Sequence, residues 1–309
     1  MTSRPQLIFL ACLFLALLAV PFLGSRYLTE LAVQVMIFSL LALSLNILVG
    51  HIGLVSFGHA AFFAIGGYAT AFFLTRWQLP LAAAMPMAVL LAAAFALVIG
   101  VLCVRLKAIY FAMLTLAFSM LVWGIIIKWK PVTGGDDGFV GITLPGMLAS
   151  PQSFYWFVLG VVSVSTALMW LLSKSTMGQI FVAIRENETR ASFLGVNVRQ
   201  MQLIGFVLAA LFAAIAGSLM AMYLRGMYPQ SAFWTQSGHI VISVLLGGVH
   251  SFVGPILGAS LLYLLEVTIH QYTQYWPLVM GLILLLVVLV LPEGLIELFR
   301  KLYARLGRK

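Results

Sequence analysis

The sequence has few charged side chains, since only 8% of its 309 residues are Asp, Glu, Lys or Arg. Soluble domains carry about 25% charge, so this chain cannot cover a surface that faces water throughout. Hydrophobic residues make up 63% of the chain, and the mean hydropathy is +1.12. The composition therefore excludes an ordinary soluble domain and predicts a membrane protein.

The residue patterns of membrane-embedded chemistry are also missing. Cys12 and Cys103 both fall in apolar runs, where lone cysteines usually behave as small hydrophobic residues. No His-Glu-x-x-His pair and no Gly-x-Ser-x-Gly motif occurs. No lysine follows a glycine, so a Gly-Lys-Ser/Thr phosphate loop is absent. We therefore expect no catalytic residues, no metal site and no cofactor, and if ATP powers this protein, another subunit must bind it.

Apolar runs close to the ~20 residues needed to cross a bilayer recur along the whole chain. They predict an all-α polytopic membrane protein with about ten transmembrane helices, organised as one domain over residues 1–309. The first run is interpreted as a retained span, because no Ala-x-Ala cleavage site follows it. The predicted spans are 7–23, 31–49, 53–75, 82–104, 108–127, 153–173, 203–224, 239–251, 254–271 and 275–291.

Lysine and arginine are distributed unequally between the two sides of these spans. Of the 17, twelve fall on the side of the N-terminus, and five (Arg26, Arg76, Lys128, Lys130 and Arg225) fall on the other. The positive-inside rule then places both termini and the 174–202 loop in the cytoplasm. The basic residues form no continuous stripe, so the net charge of +9 does not indicate nucleic-acid binding.

Two glycine-rich stretches interrupt the leucine-rich pattern, at residues 48–68 and 246–259. Small residues let helix backbones approach closely in lipid, and glycine also permits broken or re-entrant helices. The two stretches occupy corresponding halves of the chain, as in transporters built from internal repeats. Polar side chains in or beside the first stretch are candidates to line a translocation path, although they can equally hydrogen-bond between helices. They are Asn46, Ser56, His59 and Tyr68.

Glu266 is the one acidic residue well inside a predicted span. A carboxylate at mid-bilayer costs about 2.5–3.5 kcal/mol on insertion scales, so it raises the possibility of a proton relay. His270 follows four residues later on the same helical face, and we favour a structural pair near the outer end of the span.

The polar stretch from Ser173 to Gln202 is the one sizeable surface that a soluble partner can reach. Apolar residues at three- and four-residue steps predict a short amphipathic helix between Gln179 and Val198, which Gly195 ends or turns. Such a helix can dock into a groove on a partner, or it can lie on lipid. The predicted stripe contains Ile180, Ala183, Ile184, Asn187, Ala191, Leu194 and Val198.

At Ala183-Ile-Arg-Glu-Asn-Glu188, Ala191 and Gly195 the loop resembles permease subunits of ABC importers of branched-chain amino acids, in particular the M-type (LivM-like) branch. The resemblance extends from about residue 30 to 298. Six further blocks carry it in the same order: Asn46–Phe63, Tyr110–Phe118, Thr133–Gly138, Leu246–Val249, Gly254–Ala259 and Leu291–Leu295.

The resemblance implies an ABC importer permease in a bacterial inner membrane, surrounded by lipid and working with three kinds of partner. These are a second homologous permease subunit, two cytoplasmic ATPases that bind the ATP, and a periplasmic substrate-binding protein. The ATPase-docking residues carried over are Arg185, Glu186, Asn187, Glu188, Ala191 and Gly195. The family's Glu-Ala-Ala-x-x-x-Gly signature is degenerate here, because only Ala191 and Gly195 match it.

Other functions remain open at this stage. A related urea or short-chain amide permease would resemble this chain over the same blocks. An ion-coupled secondary transporter would need a coupling site, for which Glu266 is the one candidate. An intramembrane enzyme would need the catalytic residues that the sequence lacks.

Overall fold

The computed structural model describes residues 4–106, 108–144 and 146–272, together with positions 275, 278, 279, 281, 282, 285 and 294–296. Within this part the chain is a bundle of α-helices, with a single two-stranded antiparallel sheet formed by β1 (Phe139–Val140) and β2 (Gly226–Met227). Both predicted spans and predicted breaks can be compared with it directly.

The helices α1–α6 are Arg4–Ala19, Arg26–Asn46, His59–Thr75, Leu81–Cys103, Ala108–Lys128 and Lys130–Thr133. The helices α7–α12 are Pro151–Lys174, Thr176–Glu186, Glu188–Phe193, Val198–Leu224, Trp234–Gly247 and Gly254–Tyr272. A π-helical turn, Ile47–Ile52, extends α2, and short 3₁₀ turns lie at Val20–Leu23, Gly135–Asp137, Gly146–Leu148 and Pro229–Ala232.

The predicted polytopic all-α architecture is confirmed. Each of the first nine predicted spans overlaps a long helix, whereas the tenth, 275–291, lies mostly outside the described residues. Some of the described helices are long and apolar enough to cross a membrane, and two further apolar segments, Phe9–Phe22 and His59–Thr75, are shorter. The long helices are Arg26–Ile52, Leu81–Cys103, Ala108–Lys128, Pro151–Lys174 and Val198–Leu224.

The first glycine-rich stretch is a broken helix, and the predicted span 53–75 is correspondingly too long. Gly53 ends the π-helical turn in the left-handed region at φ 85°, residues 53–58 are not helical, and α3 begins only at His59. The imidazole Nε2 of His59 lies 2.8 Å from the hydroxyl of Ser44, two turns before the end of the preceding span. The amino end of α3 therefore starts inside the bundle, level with the last turn of α2.

The second glycine-rich stretch is a tight helical hairpin. The predicted span 239–251 is shifted, because α11 runs from Trp234 to Gly247 and residues 248–253 form the turn to α12. A Cβ on Gly258 would lie 1.9 Å from the carbonyl oxygen of Ser243, so only glycine permits this approach of α11 and α12. Close backbone packing at the glycines is what the sequence predicted for lipid-embedded helices.

The core of the bundle is the crossing of α3 with α10. A Cβ on Gly217 would lie 1.8 Å from the carbonyl oxygen of Phe63, and one on Gly66 would lie 2.4 Å from that of Ala214. The hydroxyl of Thr70 donates to Ser218 at 2.8 Å across the same contact. Small residues and a buried hydroxyl pair thus fix α3 against α10, with α4 packed on the other side of both.

Candidate functional site

The 174–202 loop folds as two short helices joined at Asn187. Ser175 caps α8 through the amide of Gly178, and the Asn187 side chain accepts from the amide of Arg190 at 2.8 Å to cap α9. The backbone of Asn187 is extended, at φ −164° and ψ 103°. The prediction of one continuous helix from Gln179 to Val198 is therefore wrong, because an N-cap asparagine interrupts it.

Arg185 points toward the membrane helices instead of outward. Its guanidinium Nη1 donates to the carbonyl oxygen of Gly50 and lies 3.1 Å from Nδ1 of His250. Its aliphatic part covers Gly53, where an added Cβ would lie 2.8 Å from the Cγ of Arg185. One side chain of the loop thus contacts both glycine-rich stretches, and the assignment of Arg185 to ATPase docking stays a prediction.

The other predicted docking residues divide between the inner and outer faces of the loop. Ala191 is buried, and the carboxylate of Glu188 accepts from the amide of Gln202 at 2.8 Å, which ties α9 to α10. Glu186 and Gly195 are exposed, with Gly195 in the left-handed region at φ 85° and no atom near its position for a Cβ. The loop is therefore anchored at both of its helices.

Two large apolar side chains of this loop are strongly exposed. Phe193 is 85% exposed and Leu194 is 78% exposed, at the end of α9. The sequence pattern placed Leu194 on the apolar stripe of a single helix and gave Phe193 no role. A phenylalanine–leucine pair directly before a turn glycine in a polar loop was the available signal.

The four predicted path residues are all buried in the interior of the chain. Asn46 donates to the carbonyl oxygen of Ser251 at 3.4 Å, and Ser56 accepts from the amide of Gly58. Oδ1 of Asn46, Nδ1 of His59 and the hydroxyl of Tyr68 have no hydrogen-bond partner among the described residues. In this conformation these side chains line no open passage, so their assignment to the path stays a prediction.

The two glycine-rich stretches meet at the face of the bundle that carries the 174–202 loop. A Cβ on Gly50 would lie 2.5 Å from the carbonyl oxygen of Val249, and Asn46 bonds to Ser251 nearby. Together with Arg185 and His250, these contacts place both stretches directly beneath α8.

The first glycine-rich stretch meets the amino end of α11 in the middle of the bundle, against α5. The amide of Ala60, in the first turn of α3, donates to the hydroxyl of Ser237 in the first turn of α11 at 3.0 Å. Thr115 accepts from the amide of Phe57, and Ser119 donates to the carbonyl oxygen of Ala232. Two hydroxyls one helical turn apart on α5 therefore bind the chain segments that lead into α3 and into α11.

Glu266 is half-buried on α12 and has two histidines among its electrostatic neighbours. His270 lies on the same helix as predicted, and His239 faces it from α11. A wider polar contact lies one turn earlier, where the amide of Gln34 joins the hydroxyls of Tyr223 and Tyr263. Glu266 thus also has a polar neighbour on α11, His239, which was not predicted from the sequence.

A bundle of apolar helices with one broken glycine-rich helix, one glycine-rich hairpin and one anchored polar loop has the architecture of a multi-pass membrane protein. The family model described as "Branched-chain amino acid transport system / permease component" matches residues 27–291. The chain belongs to this family, which makes it a LivM-like transport permease rather than an enzyme.

Individual relatives agree with this placement. The chain is 29% identical to the high-affinity branched-chain amino acid permease LivM of Escherichia coli over 96% of its own length and 76% of that protein. It is 25% identical to LivH of E. coli over 84% of its length and 91% of that protein. It is also 28% identical to the autoinducer 2 import permease LsrC of Klebsiella pneumoniae, over 55% of its length and 52% of that protein. No solved structure matches the chain.

Proposed function

We propose that this permease imports branched-chain amino acids across a bacterial inner membrane, energised by ATPases encoded on other chains. The family description and the names of the LivM and LivH relatives support this substrate class. The absence of a Gly-Lys-Ser/Thr phosphate loop from the sequence supports ATP hydrolysis in trans. Termini in the cytoplasm follow from the charge distribution.

The assembly we propose contains two permease subunits, two ATPases and a periplasmic binding protein. Escherichia coli has both a LivM and a LivH relative of this chain, which supports a second homologous permease as the partner. The exposed carboxylates of Asp136 and Asp137, on the face opposite the 174–202 loop, are positioned to contact a basic surface of the binding protein.

The observation that carries the proposal is the exposed pair Phe193 and Leu194. Large apolar side chains on an anchored, otherwise polar loop are suited to a groove on a soluble partner. The bond between Glu188 and Gln202 and the contacts of Arg185 tie this tip to α10 and to the glycine-rich stretches. Movement of an ATPase bound at the tip would therefore reach the membrane helices.

The test is transport by the reconstituted complex with its own ATPases and binding protein. We expect ATP-dependent uptake of labelled leucine, isoleucine or valine. The double substitution Phe193→Asp and Leu194→Asp should prevent co-purification of the ATPases, whereas Met147→Asp, at an equally exposed methionine on the opposite face, should not.

Each rival function predicts a different result. Uptake of urea, of short-chain amides or of autoinducer 2 in place of the three amino acids would contradict the proposed substrate. Uptake by the chain without any ATPase would indicate a secondary transporter and direct attention to Glu266.

A further inference from the structure

The segment that leads into α11 lies at membrane depth although it is not an α-helix. The hydroxyl of Ser119 donates to the carbonyl oxygen of Ala232 at 3.1 Å, and the ring of Phe233 lies 5.2 Å from that of Trp123. Ser119 is near the middle of α5, which has 21 residues and a length of about 31 Å, close to the ~30 Å of a hydrocarbon core. Residues 228–233 therefore lie in one half of the membrane and reach its midplane at Ala232.

This segment is also exposed at the surface of the chain. Tyr228 and Trp234 are each 42% exposed, and the polar side chains of Gln230 and Thr235 are exposed beside them. The N-cap of α11 is Phe233, whose side chain can accept no hydrogen bond from the first turn. The backbone carbonyl of Phe233 accepts from the amide of Gln236 at 3.0 Å, whereas the amides of Trp234 and Thr235 need partners from outside the helix.

Lipid cannot provide those partners. Unsatisfied backbone groups in hydrocarbon cost several kcal/mol each, so irregular backbone at this depth is tolerated only against protein or along a water-filled cavity. A surface of this chain that can face lipid is apolar instead. On α4 the exposed side chains at membrane depth are apolar, as with Leu90, Leu97 and Val98.

We propose that Gln230, Thr235 and the first turn of α11 line the water-filled passage through which the substrate crosses. The assignment rests on the proposed transport function. Polar groups of Gln230 and Thr235 offer hydrogen bonds to the charged ends of an amino acid. The exposed rings of Tyr228 and Trp234, neighbours of these residues in the sequence, offer apolar surface to its side chain.

The bond between Ser237 and the amide of Ala60 extends the inference to α3. This bond and the two α5 hydroxyls join the amino end of α3 to the amino end of α11. A displacement of α3 would therefore also move the end of α11 that lines the passage. The lining we assign is thus connected to the glycine-rich stretches that Arg185 contacts at the other face.

The experiment measures the reactivity of cysteines introduced into the assembled complex in membrane vesicles. In a Cys12→Ser background, with the buried Cys103 retained, the variants Thr235→Cys, Gln230→Cys and Leu90→Cys are treated with a positively charged, membrane-impermeant methanethiosulfonate. Leu90, 66% exposed near the middle of α4, is the lipid-facing control. Modification is followed by the mass of the chain.

Since only a hydrated thiolate reacts, we expect Thr235→Cys and Gln230→Cys to react about ten-fold faster than Leu90→Cys, or more. Addition of ATP and of the binding protein with its substrate should change those two rates and leave the rate for Leu90→Cys unchanged. Reaction of both variants as slow as that of Leu90→Cys would overturn the proposal and indicate a face covered by lipid or by dry protein. The labelling does not depend on which solute is carried, so this failure is distinct from a failure of leucine uptake.

Discussion

Arg185 joins the 174–202 loop to the membrane helices through one side chain. Its guanidinium contacts Gly50 in the first glycine-rich stretch and His250 in the second, and its aliphatic part covers Gly53. A displacement of α8 is therefore applied to both stretches at once. This role is positional, because the contacts are with the chain itself.

Replacing Arg185 with glutamine should uncouple the loop from the membrane helices. Glutamine is shorter and uncharged, so neither contact can persist, and we expect leucine uptake to fall by about ten-fold, equivalent to ~1.4 kcal/mol of coupling. Co-purification of the ATPases and their basal ATP hydrolysis should remain. Arg190→Gln, at an exposed arginine on the neighbouring α9, is the control, and an equal loss of uptake there would contradict the assignment.

Tyr68 provides a test of the predicted path residues. Its hydroxyl is buried without a partner among the described residues, and such a group costs about 1–3 kcal/mol. Tyr68→Phe should therefore leave the thermal unfolding midpoint unchanged or raise it. Tyr155→Phe should lower it, because the hydroxyl of Tyr155 donates to the carbonyl oxygen of Leu17 at 2.6 Å. A selective loss of uptake in Tyr68→Phe would instead support a place in the path.

The helices were predictable from the sequence because each membrane span is a long run of apolar residues. The bounds of the breaks were not, because glycine-rich stretches indicate that a helix can break without showing where it ends, and residues 228–233 were placed in a loop between the predicted spans 203–224 and 239–251. Residues 53–58 and 228–233 are held by hydroxyls on α5, and those partners are distant in sequence. The kink in the 174–202 loop was missed for another reason: Asn187 acts as a cap, although its spacing also fits a helical stripe.

The crossing of α3 and α10 depends on having no side chain at two positions. Gly217→Ala would bring a methyl group within 1.8 Å of the carbonyl oxygen of Phe63 if nothing moved. The helices must separate, and overpacking of this kind costs about 1–3 kcal/mol. We expect a lower unfolding midpoint and less folded protein in detergent. Gly160→Ala on α7, where nothing lies within 4 Å, should leave both unchanged or slightly improved.

At the scale of the whole chain, three features are ordered along the membrane normal. The anchored loop with Phe193 and Leu194 lies at one face, the acidic turn with Asp136 and Asp137 lies at the other, and the half-helix α11 begins between them. An importer needs this order, with the energy source on the inner side and the substrate delivered on the outer side. Its direction of transport therefore depends on which face is cytoplasmic.

The charge distribution makes that orientation a specific prediction. The predicted spans put twelve of the 17 lysines and arginines on the side of the 174–202 loop, so Glu186→Cys should face the cytoplasm and Met147→Cys the opposite side. In the Cys12→Ser background, an impermeant maleimide added to intact spheroplasts should label Met147→Cys at once and Glu186→Cys only after permeabilisation. The reverse pattern would place Phe193 and Leu194 beyond the reach of any cytoplasmic ATPase. Both the docking surface and the direction of transport would then have to be abandoned together, because they depend on the same orientation.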